Sequence, residues 1–384
     1  MKKIILPFLL ICAIVLSFIY MVFTYIFTDE SILVMLAQSK PKITGLITSL
    51  QNKVPLELTN HVGLGLLVIL CLVAVLVMFS RKVISKRIFW LAFLVPAILV
   101  FAYPTISRDT FSYLFSAKII LVYHQSPYLV PPLFYWGRDL WIGFVHNVRN
   151  LYQYGPTALL ISLIPMAIVG AEKFVLNIYI LKIISLAFFI FGAWLWLYLS
   201  KNRKLVMIMW VLNPFIINEL LINGHNDLFM IVLFWWAIYL KQKSKTLMAL
   251  LTYSLSVGVK FMTVVLLPIF FVPKKIQTMI ALSTIVVITS YLTLNANLTW
   301  YFSWIYFCLP YLKLNKAQIF SILFLELILT LAYAGFLKNS LWGTSSNIQV
   351  IESIISLKIL FLPLFVLATI SPFIWKKFKL LYSS

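Results

Sequence analysis

Long apolar runs separated by short polar and basic stretches dominate the chain. They cover residues 4–27, 62–80, 88–103, 174–200, 205–222, 228–240, 247–272, 276–294, 319–337 and 353–374. A helix of about 20 apolar residues crosses the hydrocarbon core of a bilayer. In lipid, only helices and closed barrels satisfy every backbone polar group, and barrel strands alternate apolar with polar positions. These runs do not alternate. They predict an all-α polytopic membrane protein. The run 228–240 is short for a crossing and needs tilting or extension at its ends. The first run follows Lys2-Lys3. It is longer than a secretory h-region and no small-residue cleavage site follows it, so it reads as an uncleaved anchor and first helix.

The polar stretches set the orientation. Basic loops stay cytoplasmic, which assigns Lys2-Lys3, "RKVISKR" at 81–87, "KNRK" at 201–204 and "KQKSK" at 241–245 to that side. Residues 28–61, 104–173 and "NGHND" at 223–227 then lie outside. That order requires an odd number of crossings between Tyr154 and Lys201, so 157–169 reads as a juxtamembrane or re-entrant helix. Further on, Lys274-Lys275 and the "KKFK" at 376–379 cannot both be cytoplasmic under a simple count. Either 247–272 is re-entrant or one of those clusters is outside. Nothing repeats internally and no soluble domain is visible. The chain reads as one unit over 1–384: N-terminal helices to 103, an external loop 104–173, a helical core 174–272 and C-terminal helices 273–384.

Composition agrees with this reading. The 384 residues are 63% hydrophobic and 11% charged, where soluble domains are about half apolar and about a quarter charged. The net charge of +21 does not point to nucleic acid, because the cations lie in loops facing anionic lipid. The bilayer itself is the expected partner. Cys12, Cys71 and Cys308 lie in apolar runs without metal or disulfide spacing. Neither a metal site nor a cofactor is expected.

Candidate chemistry starts with "SRDTFSYLFSAKIILVYHQSPY" at 107–128. At about 100° per residue, Asp109, Ser112, Tyr113 and Ser116 share one helical face. Thr110, Phe111, Leu114, Phe115 and Lys118 form the other. This suits a helix in the outer interface with its polar face toward a cavity. Asp109 either caps that helix or presents a reactive carboxylate to the cavity. The loop continues with Trp136, Arg138, Asp139, Trp141, His146, Arg149 and "YQYGP" at 152–156. "NPFIINELLINGHNDLF" at 213–229 brings Glu219, His225, Asn226 and Asp227 to the outer ends of two helices. A polar hairpin is the plain account, although an imidazole there offers N–H donors to a phosphate or hydroxyl. Lys260 lies deep in 247–272, about 20 Å along a straight helix from Leu247. A central lysine is unfavourable by roughly 2.5–3.5 kcal/mol. Its partner is expected to be an arriving anion or Glu326, which is also deep. Lys182 and Lys358 lie nearer helix ends, where snorkelling accounts for them.

The ordered set "RDTFSY…HQSPY", Trp136, "YQYGP", "NPFIINELLINGHND" and "GVKFMTVVLLP" resembles the GT-C superfamily of integral-membrane glycosyltransferases. It is most similar to the polyprenol-phosphate-mannose-dependent α-(1→6) mannosyltransferases that build lipoglycan cores. The resemblance spans about residues 88 to 268. Arg108 stands where some GT-C families carry a second acid, and "HQSPY" replaces Gly-x-x-Pro-Tyr. The resemblance implies a bundle of about 10–12 helices of spanning length with a large catalytic first external loop containing juxtamembrane helices. It implies inverting transfer of a hexose, mannose, from a polyprenyl-phosphate donor to a glycolipid or cell-envelope glycan acceptor on the extracytoplasmic face. Asp109 is then the general base. Arg108, Tyr113, Tyr128, Tyr154, His225, Asn226, Asp227 and Lys260 bind the donor phosphate and substrates. A transporter or flippase of a lipid-linked sugar is the competing class. It would share deep charges and broken helices but also show paired half-repeats, which this chain lacks.

Overall fold

A computed structural model describes residues 2–80, 83–272, 299–312 and 314–338, with scattered positions between 276 and 288. The expected span 353–374, Lys358, the "KKFK" cluster, Lys274-Lys275 and most of 276–294 lie outside the described residues. Among those described, every regular element is helical and no strand occurs.

Helix α1 (Lys2–Phe23) ends in a 3-10 turn at Thr24–Phe27. Two shorter helices, α2 (Glu30–Ser39) and α3 (Pro41–Lys53), precede α4 (Leu56–Phe79). The expected span 88–103 is built from two pieces, α5 (Lys86–Ala92) and α6 (Leu94–Leu99). Pro96 explains the break, since it has no N–H to bond the Ala92 carbonyl. The external loop carries α7 (Asp109–Leu121) and α8 (Pro156–Val169) before α9 (Phe174–Ser200). With 14 residues, α8 is shorter than a crossing requires.

The expected span 205–222 is bent by 46° into α10 (Arg203–Val211) and α11 (Pro214–Ile222). "NP" makes the bend. The Asn213 side chain caps α11 through the Phe215 and Ile216 N–H groups, and Pro214 occupies its first turn. Both pieces end in wide turns, with Leu212 N–H bonding the Met207 carbonyl and Asn223 N–H the Asn218 carbonyl, both at 2.9 Å. Such π-type turns concentrate at functional sites. Helices α12 (Asp227–Gln242) and α13 (Thr246–Val257) follow, then a 3-10 helix, Phe261–Phe270. Another 3-10 stretch, Thr299–Phe307, and α14 (Lys316–Lys338) complete the described chain. Among the described residues, three helices are long and apolar enough to cross a membrane, or four if the bent pair is one span. Of the other apolar runs, 88–103 and 247–272 are broken, 228–240 lies in the 16-residue α12, and 319–337 forms one continuous helix within α14.

The bundle has two chemically distinct ends. At one, the Arg203 guanidinium donates to the Ile84 carbonyl (2.6 Å) and the Lys204 ammonium to Ser80. Lys243 lies over the Tyr198 ring, Lys241 over Phe271 and Lys316 over Phe79. The basic loops therefore gather on one side. The run 247–272 leaves that side along α13, turns at 258–260 and returns through Phe261–Phe270. The Tyr253 hydroxyl, donating to the carbonyls of Thr263 (2.7 Å) and Val264 (3.1 Å), holds the two limbs together. This hairpin matches the re-entrant alternative. It also corrects the picture of Lys260 midway along a straight helix: the residue stands at the hairpin's tip.

Two other buried charges differ from expectation. Glu326 pairs with no cation among the described residues. Asn213 Nδ2 and the Tyr306 hydroxyl each donate to it at 2.7 Å. Lys182 does not snorkel. It is 4% exposed and its ammonium is spent on backbone carbonyls. Mid-bundle, the fully buried Trp196, Trp210, Trp235 and Tyr306 form an aromatic core. Trp210 and Trp235 donate their indole N–H to carbonyls there, as buried indoles usually do, while Trp196 Nε1 has no hydrogen-bond partner among the described residues.

Candidate active site

Opposite the basic loops, three segments meet: the start of α7, the 223–227 turn between α11 and α12, and the hairpin tip at 258–260. Asn223 ties the first two. Its side-chain oxygen accepts from the N–H groups of Ile106 (3.3 Å) and Ser107 (3.4 Å), and its carbonyl accepts from the Thr110 hydroxyl (3.1 Å). Glycine permits the third contact. Gly155 and Gly258 lie so close that a Cβ on Gly155 would meet the Gly258 carbonyl oxygen at 2.2 Å. The N–H groups of Gly155 and Thr157 bond the Val259 and Gly258 carbonyls at 3.0 and 2.8 Å. "YQYGP" is thereby sewn to "SVGVK".

Asp109 does not cap α7. Its own N–H is taken by the Ser107 hydroxyl, and its carboxylate faces a cleft. The same Oδ2 accepts from the hydroxyls of Tyr154 (3.1 Å) and Tyr113 (3.3 Å) and stands 3.3 Å from His225 Nδ1. The open cleft, about 410 Å³ with its mouth, is lined by Asp109, Ser112, Tyr113 and Ser116 together with His146, Asn150, Tyr152 and Tyr154. The polar face expected of α7 is the face that lines it.

His225 is buried between two carboxylates, with Nε2 3.3 Å from Glu219 Oε2 and its ring stacked on Trp300. Neither contact is aligned as a hydrogen bond, so the attraction is ionic. Burial pushes the imidazole down, but the two flanking carboxylates outweigh it and raise it to about 10. Burial likewise pushes the Asp109 carboxyl up. The His225 imidazolium, the Lys260 ammonium and the Tyr154 hydroxyl reverse that and hold it at about 2. Burial, then the Asp109 charge, raises the Tyr154 phenol, which stays a donor.

Lys260 has a partner, and it is neither of the two expected. Its ammonium lies 2.7 Å from the fully buried Asp227, whose other oxygen accepts from the Trp304 indole. The rings of Tyr154, Tyr301 and Trp304 surround it at 5.3–5.9 Å, a cation–π cage. Asn226 is 1% exposed, and neither its amide oxygen nor its nitrogen has a hydrogen-bond partner among the described residues. Asn223 Nδ2 is equally orphaned. Buried unsatisfied groups of this kind call for a ligand or water.

The structure thus brings Asp109, Tyr113, Tyr154, His225, Asn226, Asp227 and Lys260 together. It leaves two expected residues aside. Arg108 turns away from the cleft to pair with Asp29, which also accepts from the Tyr103 hydroxyl. Tyr128 supports the loop by donating to the Tyr154 carbonyl. Arg138 and Arg149 are exposed. Asp139 is a knot in the loop, bound by Lys118, Tyr123 and the Trp141 N–H. Sequence reasoning missed Trp300, Trp304 and Asp29. The aromatic string "TWYFSWIYF" signalled the first two, but it holds no charge to mark it. Among the described residues no group of three or more His, Cys, Asp or Glu side chains could hold a metal ion.

The arrangement places an ionised carboxylate on the cleft, with two cations and unsatisfied amide groups packed behind it. Nothing matches the chain among curated proteins or among solved structures. Residues 28–273, well over half of the chain and all three converging segments, match the family described as Alpha-(1->6)-mannopyranosyltransferase, N-terminal domain, and the protein belongs to that family.

Proposed function

We propose that this chain is an inverting, multi-pass cell-membrane mannosyltransferase that takes its sugar from a polyprenyl-phosphate donor. It passes the mannosyl group to a hydroxyl of a lipid-linked or cell-envelope glycan on the extracytoplasmic face. The observation that carries this reading is the convergence of His225 and Lys260, from two other distant segments, on the cleft carboxylate Asp109.

The acceptor oxygen attacks the anomeric carbon as the bond from that carbon to the phosphate oxygen breaks. The electron pair leaves on the phosphate. Asp109 takes the acceptor's proton. A phosphate leaving group needs no proton, but it needs cations and N–H donors where charge develops. Lys260 and His225 supply the cations, and the orphaned amide of Asn226 supplies a donor. In the free protein those cations also hold Asp109 weakly basic. A bound donor phosphate draws on them and loosens that hold, so basicity rises when the donor is present. An apolar groove of about 790 Å³ is lined by Tyr20, Leu64, Leu67, Leu70 and Ile217, and also by Ile106, whose N–H bonds Asn223. Its size and lining suit a prenyl chain.

The side assignment rests on the basic loops gathered at the opposite end. The test is incubation of purified protein with radiolabelled polyprenyl-phosphate mannose and membrane acceptors. Transfer of label is the expected result. Translocation without transfer would establish the flippase reading, which the broken α10–α11 pair and the 247–272 hairpin otherwise fit.

A further inference from the structure

Lys182 is the one buried cation in α9, and the chemistry above leaves it unused. Its ammonium donates to the carbonyls of Val100 (2.8 Å), Ala102 (2.9 Å) and Ile222 (3.2 Å). An ammonium has three protons, so its capacity is filled. No carboxylate pairs with it among the described residues. The carbonyls it binds are not arbitrary. Val100 and Ala102 follow the end of α6, and Ile222 ends α11. Helix C-termini leave carbonyls unpaired and carry partial negative charge. A single cation from a third helix satisfies both ends.

Those two ends feed the catalytic segments. Asp109 is seven residues past Ala102, and His225 is three past Ile222. Asn223 makes a second tie between the same segments through Ile106, Ser107 and Thr110. The 3.3 Å approach of His225 to Asp109 therefore hangs from two cross-links, one of them Lys182.

We infer that Lys182 is a positioning residue: it pins the ends of α6 and α11 together and so sets the spacing between the base and the cation on the phosphate side. This rests on the transfer reaction proposed above. Lys182 touches neither substrate nor Asp109. It acts through backbone placement alone.

The experiment compares Lys182→Met, Lys182→Gln and Lys182→Arg in the purified full chain. Two readouts are taken per folded molecule: kcat and KM for polyprenyl-phosphate mannose, and the titration of His225 by 15N-histidine NMR, assigned with His225→Gln. His225 faces Asp109, Glu219 and the Trp300 ring, so its titration reports their distance. Methionine fills the space without donors. It should lower kcat about 100-fold, the scale of a 1 Å misplacement, with donor KM nearly unchanged. The His225 titration should fall toward the ordinary imidazole range. Arginine keeps charge and donors and should restore much of both. If Lys182→Met does not fold, Lys182→Gln, which can serve only some of the carbonyls, decides by the same two readouts. A folded Met or Gln variant with parental kcat and parental His225 titration overturns the inference. If the parent itself transfers no sugar, the proposed function fails, and the His225 titration alone decides the role of Lys182.

Discussion

Asp109 opens the first turn of α7, where a carboxylate ordinarily binds backbone N–H groups. Here it binds Tyr113, Tyr154 and His225 instead. Asp109→Asn should leave folding nearly intact and lower transfer by about 10²- to 10⁴-fold. Near-normal turnover in a sugar-transfer assay would show that the base lies elsewhere. The charge pair also sets a pH window. The Asp109 value near 2 lies below its ordinary 3.8, so its contribution is present above pH 3.8 and lost as pH falls through 2. The His225 value near 10 lies above 6.5, so its contribution is full below pH 6.5 and lost as pH rises through 10. Melting temperature should be level between those ordinary values and decline from 6.5 toward 10. The decline should be shallower in Asp109→Asn. A level profile up to pH 10 would mean that His225 is neutral in the folded protein. For the other pair, Lys260→Met strands the buried Asp227 carboxylate and should destabilise by roughly 3–5 kcal/mol. Lys260→Met/Asp227→Asn should recover much of that in thermal unfolding. No recovery would mean that Asp227 is not what Lys260 neutralises.

At the scale of elements, the site depends on two backbones meeting at Gly155 and Gly258. A Cβ on Gly258 would lie 2.3 Å from the Thr157 hydroxyl, and one on Gly155 would lie 2.2 Å from the Gly258 carbonyl. Gly258→Ala should lose about 1–3 kcal/mol, the usual penalty for overpacking, and weaken donor binding by moving Lys260. Thr157→Ala should relieve Gly258→Ala in part, because the obstacle is a side chain. It should not relieve Gly155→Ala, where the obstacle is backbone. Equal rescue of both in thermal-shift measurements would place the contact elsewhere. The helix face lining the cleft was readable in advance, because a 3.6-residue period alone groups Asp109, Ser112, Tyr113 and Ser116. The hairpin of 247–272 was readable only as one of two alternatives.

At the scale of the whole molecule, the described residues put two different chemistries at the two ends. Basic loops gather at one end and the acid-bearing cleft opens at the other. Single cysteines at Asn150 and Ser244, both exposed, in a background lacking Cys12, Cys71 and Cys308, test the orientation. An impermeant thiol reagent should label Asn150→Cys in intact cells and Ser244→Cys only after permeabilisation. The reverse pattern would place the cleft in the cytoplasm.

The amino-acid sequence by itself determined the features that local period and residue type control. Unalternating apolar runs require helices, and the polar face of α7 must find a cavity. Each rests on residues within a few turns of one another. Only the tertiary structure decided which charges meet. Lys260 finds Asp227 at a separation of 33 residues, Asn223 reaches Ile106 across 117, and Lys182 binds carbonyls up to 82 residues away. The same composition would have allowed Lys260 with Glu326, or Lys182 at the membrane surface. A buried charge is satisfied by whatever packing brings within about 3 Å of it, and that includes backbone carbonyls, which every residue carries and no sequence pattern marks.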